Sequence, residues 1–416
     1  MRGTVIGVVI LTAIAFGGPS AAFTQVPSAA LPPIQLAVTG DPAPVETLRL
    51  GILTTARTLV PEARNGHVLL AETDPPLQPL RAASEVALRA VVQVDPVGAR
   101  PLVRTVPVEI KNQVLPWADA QALMVSNSPE TLPFGKVLLS AAASSGQTVR
   151  LLYHHANGSS NEHMALVVNL SNPNRRPAAV WVTGAAGNDG SDELALGHGA
   201  ARAFLDQYWH RAGFLLRIAP NTSVPLFLHD LAPGAVATGL TQFTLVEGDR
   251  ANVQVYARMA NEMEPPPMSF APNFDRVHQR GVFERPQVSR SWSYTVGGPD
   301  VMMSMGERED ALVESQSGSA LSGNYGVVYT FAIDTDNPTA YPTILGFVMQ
   351  AVAGDASGTF LVDDRMFDVP RVRSGERRLV TTIHLAPGEH RRLLISTMPE
   401  SGAYYPVRLS LGTHYQ

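Results

Sequence analysis

Apolar residues along this chain fall into short runs, some alternating with polar positions and some continuous, divided by clusters of Gly, Pro, Asn and Asp. That rhythm predicts β-strands separated by turns. Residues 48–53, 67–72 and 85–94 read as β-rich runs punctuated by Pro75-Pro76 and Pro96. Further strands are expected at 149–154, 164–170, 178–183, 226–231, 242–246 and 253–258, and then at 327–333, 345–352, 358–362, 378–383, 391–396 and 407–411. The turn-rich segment Asn157-Gly158-Ser159-Ser160-Asn161 predicts that the runs on either side of it pair as a hairpin, because Asn and Gly tolerate positive φ. One short amphipathic helix is expected over 199–211, with Ala200, Phe204, Tyr208 and Arg211 near one face and Gly213 as its stop.

These elements predict a mainly β chain of tandem immunoglobulin-like β-sandwich domains carrying that single helix. Prolines mark the divisions. Residues 23–46 read as a Pro-rich linker, 47–115 as a small β-rich module, 116–262 as a β-sandwich, 263–286 as a second Pro-rich linker and 287–416 as another β-sandwich. Two motifs occur in both sandwich segments. Asn172-Pro173 parallels Asn337-Pro338, and Leu231-Ala232-Pro233-Gly234 parallels Leu385-Ala386-Pro387-Gly388. An X-Pro step cannot continue a ladder and Pro-Gly favours a tight turn, so both are read as sandwich corners. Two separate cores are expected.

The N-terminus changes the picture of where the chain works. Arg2, the apolar run 4–16, Gly17-Gly18-Pro19 and the small residues Ser20-Ala21-Ala22 predict a signal peptide over 1–22, cleaved after Ala22. Export to periplasm, cell surface or medium follows, with no transmembrane segment in the mature chain. Cysteine is absent from the 416 residues, which excludes thiolate chemistry and disulfides. A formal net charge of −5 with 16% charged residues argues against a nucleic-acid surface.

Candidate chemistry is sparse. His154, His155 and His163 flank the expected hairpin and could hold zinc or copper, although adjacent strand residues point to opposite faces. Met259, Met263, Met268, Met302, Met303 and Met305 offer soft thioethers for copper, or simply fill gaps. The acidic turns 188–193 and 334–337 lack the ligand spacing of a calcium loop. Trp292, Tyr294 and Tyr325 stand for a sugar-stacking platform on a sandwich surface. No nucleophile elbow, zinc-protease helix or Ser-x-x-Lys motif is present, while paired carboxylates, which only space can bring together, stay open.

Ser126-Asn127-Ser128-Pro129-Glu130, then Gly135 and Leu138-Leu139-Ser140, His154-His155, Asn172-Pro173, and Gly323-Asn324-Tyr325-Gly326-Val327-Val328-Tyr329 leading to Asn337-Pro338, together resemble an uncharacterised family of exported bacterial proteins. That family is mainly cyanobacterial and is known only as a domain of unknown function. The resemblance covers about 106–411; where the family shows a longer Arg- and Tyr-rich stretch, this chain has residues 314–320. It implies export and fold class, and no reaction or cofactor. The expected function is a non-catalytic envelope or surface protein acting as scaffold, spacer or adhesion module and using no cofactor. The alternative is a module binding envelope polysaccharide, or copper. Its partner would be a cell-envelope polysaccharide or another envelope protein.

Overall fold

Strict alternation drives the first sheet. In the computed structural model, which describes residues 32–60, 66–96, 100–115, 118–262, 268–272, 277–315 and 317–415, Leu88, Ala90, Val92 and Val94 are buried while their neighbours face outward. The N-terminal elements are β1 (Ile34–Thr39), α1 (Val45–Leu59), β2 (His67–Asp74), β3 (Glu85–Asp95) and β4 (Leu102–Asn112). The signal peptide expected over 1–22 and the first part of the expected linker, 23–31, lie outside the described residues. The rest of that linker is not a tether. Ile34, Leu36 and Val38 are buried in β1, an interior strand pairing parallel to β4. Residues 48–53, read as strand, belong to α1. Leu48, Ile52 and Ala56 recur at helical spacing and are buried, and Gly51 lies so close to the sheet that an added Cβ would be 2.9 Å from Leu36. A short run rich in apolar residues, such as 48–53 with Arg49 inside it, cannot by itself separate strand from buried helix.

The central elements are β5 (Ala122–Ser126), β6 (Lys136–Ser144), β7 (Thr148–Ala156), β8 (Met164–Asn172), β9 (Ala178–Gly190), α2 (Glu193–Trp209), β10 (Gly213–Ile218), β11 (Thr222–Leu231), β12 (Val236–Glu247) and β13 (Arg250–Met259). Then come β14 (Arg280–Glu284), β15 (Gln287–Thr295), β16 (Val301–Met305), β17 (Val328–Asp336), β18 (Thr343–Ala351), β19 (Ala356–Val362), β20 (Arg365–Val372), β21 (Arg377–Leu385), β22 (His390–Thr397) and β23 (Val407–Gly412). The order β14-β5-β7-β12-β9-β10-β1-β4-β3-β2 makes one ten-stranded sheet, whose central strands form a sandwich with the sheet β11-β8-β13-β6. The C-terminal sandwich joins β15-β17-β22-β19-β20 to β16-β23-β18-β21. The chain is therefore mainly β, built of tandem sandwiches, with two α-helices among the described residues rather than the single short one expected. No helix among these residues is long and apolar enough to cross a membrane.

Three features differ from the reading of the sequence. β7 pairs with β5 and β12, whereas β8 pairs with β11 and β13, so the segment 157–161 crosses between sheets instead of closing a hairpin. Within the stretch read as the second linker, β14 pairs antiparallel with β5 and buries Phe283. The two sandwiches share a core. Leu123, Val125, Leu152 and Leu240 of the central sheet and Ala201, Phe204 and Leu205 of α2 merge with Phe331, Phe347, Phe360 and Leu409 of the C-terminal sandwich in one apolar cluster. β7 is consequently buried on both faces, which is why its residues read as a continuous run.

The corner motifs acquire a mechanism. Asn337 is fully buried, donates from Nδ2 to the carbonyls of Tyr341 and Ala386 at 2.9 Å, and accepts from the Thr339 amide. The Gly388 amide bonds the Asn337 carbonyl at 2.8 Å. The counterpart of this arrangement is Asn157, not Asn172. Asn157 Nδ2 donates to Glu162 and Leu231, and the Gly234 amide bonds the Asn157 carbonyl at 2.8 Å. Asn172 plugs a third corner, donating to Arg176 and Ile218. A buried amide satisfies carbonyls that a turn leaves without ladder partners.

Candidate functional site

α2 positions the site. Asp192 caps it by accepting from the Ala195 amide at 3.1 Å, and this places Glu193 in its first turn. At the other end Arg211 takes a φ of 54° and Gly213 opens β10, where an added Cβ would lie 2.4 Å from the Val182 carbonyl oxygen. The helix is 17 residues long and begins six residues earlier than its amphipathic pattern predicts. Its first turns press on the loop between β22 and β23. A Cβ on Gly197 would lie 1.6 Å from the Ser401 carbonyl oxygen.

Polar contacts lock this junction. His198 Nδ1 and Glu400 Oε2 are 2.9 Å apart, and the fully buried Glu400 also accepts from Thr359 Oγ1 at 2.8 Å and from Ser357. Thr238 and Ser401 share a hydroxyl hydrogen bond of 2.6 Å. Arg150 of β7, fully buried, donates to the Gly326 carbonyl at 2.8 Å and to Gln242, and lies over the Phe204 ring. Burial opposes protonation of His198, but its bond to Glu400 and the charges of Glu400 and Asp368 outweigh both burial and Arg202, so it titrates above the ordinary imidazole value of 6.5. A raised folded value stabilises fully below pH 6.5, and this contribution is lost as pH rises through the folded value. Denaturation midpoints measured upward from pH 6.5 should therefore fall in the wild-type chain and flatten in Glu400→Gln; equal slopes would refute the pair's role.

Beside this junction the two sandwiches enclose a cleft of about 320 Å³. Glu130, His154, Glu193 and His278 line it together with Leu321, Tyr325, Tyr404 and Tyr405. The Gly-Asn-Tyr-Gly block contributes Gly323 and Tyr325 to this lining. Gly323 and Gly326 both have φ 79°, Asn324 is buried and bonds Tyr329, and Tyr325 donates to the Ala403 carbonyl at 2.9 Å. His154 Nε2 lies 3.8 Å from Glu130 Oε1, and His278 Nε2 lies 3.2 Å from Glu130 Oε2. One ligand atom each from Glu130, His154 and Glu193 falls within a 4.8 Å group. Burial, then the charge of His278, lowers His154 to about 4, so it is neutral at pH 7.

The other sequence candidates sit elsewhere. His155 is fully buried on the opposite face of β7, its Nδ1 2.9 Å from the Pro129 carbonyl and its Nε2 2.9 Å from Ser126 Oγ. The carbonyl can only accept, so Nδ1 donates, Nε2 accepts the hydroxyl, and both ring nitrogens are engaged. His163 is exposed beside Asp230 at 3.4 Å, because β8 left for the other sheet. The histidines read as one cluster are thus dispersed, and only His154 reaches the cleft. Of the aromatic trio only Tyr325 does. Trp292 is half-buried against Phe331, and Tyr294 is buried in the C-terminal core. Met303 and Met305 are core residues, Met302 and Met268 are exposed, and Met263 lies outside the described residues. The acidic segment 188–193 ends β9 and caps α2, with Asp189 bonded to His229 at 2.7 Å, while Asp334 and Asp336 lie on β17. Reading the sequence singled out neither Glu130 nor His278 as a site residue, and met Glu193 only within an acidic turn. No local spacing links them.

No family model matches the chain, and no curated protein matches it. Among solved structures, the M60 catalytic domain with its CBM51 domains from Clostridium perfringens ZmpB is similar over 83% of this chain at 6% identity and a TM-score of 0.15. The chain spans 43% of that protein's length. The CBM22 tandem of Paenibacillus barcinonensis Xyn10C is similar over 68% of this chain and 91% of its own length, at 9% identity and a TM-score of 0.14.

Proposed function

We propose that this chain is an exported, non-catalytic binding scaffold of the cell envelope, which holds a polysaccharide segment in the cleft between its two sandwiches. The observation that carries this reading is the shared core. Because α2 and the outer face of the central sheet merge with the C-terminal sandwich, the cleft is preformed, and a preformed site loses less entropy on binding. Its lining suits a sugar. Tyr404, 61% exposed, and Tyr325 offer aromatic faces, and Glu130, Glu193, His154 and His278 offer carboxylates and imidazoles to hydroxyls.

Affinity electrophoresis of the secreted chain against a panel of envelope polysaccharides tests it. Retention is expected, with Tyr404→Ala weakening it by about tenfold, the equivalent of about 1.4 kcal/mol of lost stacking, and Trp292→Ala leaving it unchanged. No retention on any polysaccharide would overturn the reading. A hydrolase is the second reading, favoured by the approach of Glu130 and Glu193 in one cleft. Release of reducing ends by the wild-type chain, abolished in Glu193→Gln, would replace the scaffold with it.

A further inference from the structure

We propose that Glu130, His154 and Glu193 form a site for a divalent transition metal, zinc foremost, on the wall of the cleft, with His278 steadying the second oxygen of Glu130. The proposal shares the cleft with the polysaccharide reading, but it stands on a different observation. His154 is 4% exposed, and its Nδ1 has no hydrogen-bond partner among the described residues. Its Nε2 faces Glu130 Oε1 at 3.8 Å, beyond hydrogen-bond reach. Burying Nδ1 without a partner costs about 1–3 kcal/mol, and Nε2, the nitrogen turned toward Glu130, carries no hydrogen bond among the described residues and is the one placed to take a ligand.

The surrounding donors specify the ligand. Two carboxylates and an imidazole within 4.8 Å of one another bring like charges together, and a dication between them turns that repulsion into attraction. Glu130 comes from the loop after β5, His154 from β7 and Glu193 from the first turn of α2, so three separate elements converge. Imidazole with carboxylate suits zinc, iron or manganese better than calcium, which takes oxygen alone. Zinc binds such donors at about 2.0–2.2 Å, so small side-chain rotations close the group around the ion. The Tyr404 side of the cleft leaves an approach from solvent.

The full secreted chain, stripped with a chelator, is titrated with zinc chloride by calorimetry, and bound metal is counted after dialysis. One zinc per chain is expected. Glu193→Gln, at an exposed position that should fold normally, is expected to weaken binding by more than about tenfold, while His163→Ala leaves it unchanged. Absence of stoichiometric zinc would overturn the proposal, as would binding that survives Glu193→Gln but is lost in His163→Ala. Zinc binding without polysaccharide retention removes only the polysaccharide reading, and retention without zinc removes only this one.

Discussion

Replacing Gly197 by alanine is expected to destabilise the chain by about 3 kcal/mol or more and to widen the cleft, although the same change inside an ordinary helix stabilises by about 1 kcal/mol. The sign inverts because the added Cβ would lie 1.6 Å from the Ser401 carbonyl oxygen and 2.5 Å from its carbon. Backbone on both sides leaves no side chain to swing aside. α2 must lift from the loop, and lifting it stretches the His198–Glu400 bond and withdraws Glu193 from Glu130 and His154. Urea denaturation and polysaccharide retention measured on the same variant read both effects. A stability equal to or above wild type would show that α2 does not dock as described.

The second large effect belongs to Asn337→Ala, expected to cost about 3 kcal/mol. The amide is fully buried, and its removal leaves the carbonyls of Tyr341 and Ala386 and the amide of Thr339 without that partner. Each such group costs about 1–3 kcal/mol when buried, against a total folding stability of about 5–15 kcal/mol. Asn157→Ala should behave alike, since Asn157 holds the 231–234 corner as Asn337 holds the 385–388 corner. A shift in the urea midpoint worth less than about 1 kcal/mol in both variants would mean that solvent reaches these corners.

Much of the fold was legible because strand and turn signals are local. The runs at 85–94 and 327–333 fall on β3 and β17, and the Pro-Gly corners fall at strand ends. Phe204 and Tyr208 mark the helix in the sequence, but its first turns carry no amphipathic signal because Gly197 and His198 face the loop after β22 rather than an apolar sheet. Residues 34–39 were hidden among prolines, although Ile34, Leu36 and Val38 alternate as a strand should.

The candidate site was legible only in pieces. His154 and Tyr325 stand out in the sequence, yet the residues that the pattern groups with each of them face elsewhere. His155 points away from the cleft because neighbours on a strand alternate faces. Glu130, Glu193 and His278 carry no motif among themselves, since they sit on a loop, a helix start and the approach to β14.

By itself, the amino-acid sequence determined which segments are extended, which faces are apolar and where the chain turns, because period-two patterning, Pro and Gly act over a few residues. Tertiary structure alone decided that β7 joins β5 and β12 rather than β8, that α2 welds two sandwiches into one core, and that two carboxylates meet a buried imidazole. The reason is that an alternating pattern states that one face must be covered, and says nothing about which distant segment covers it.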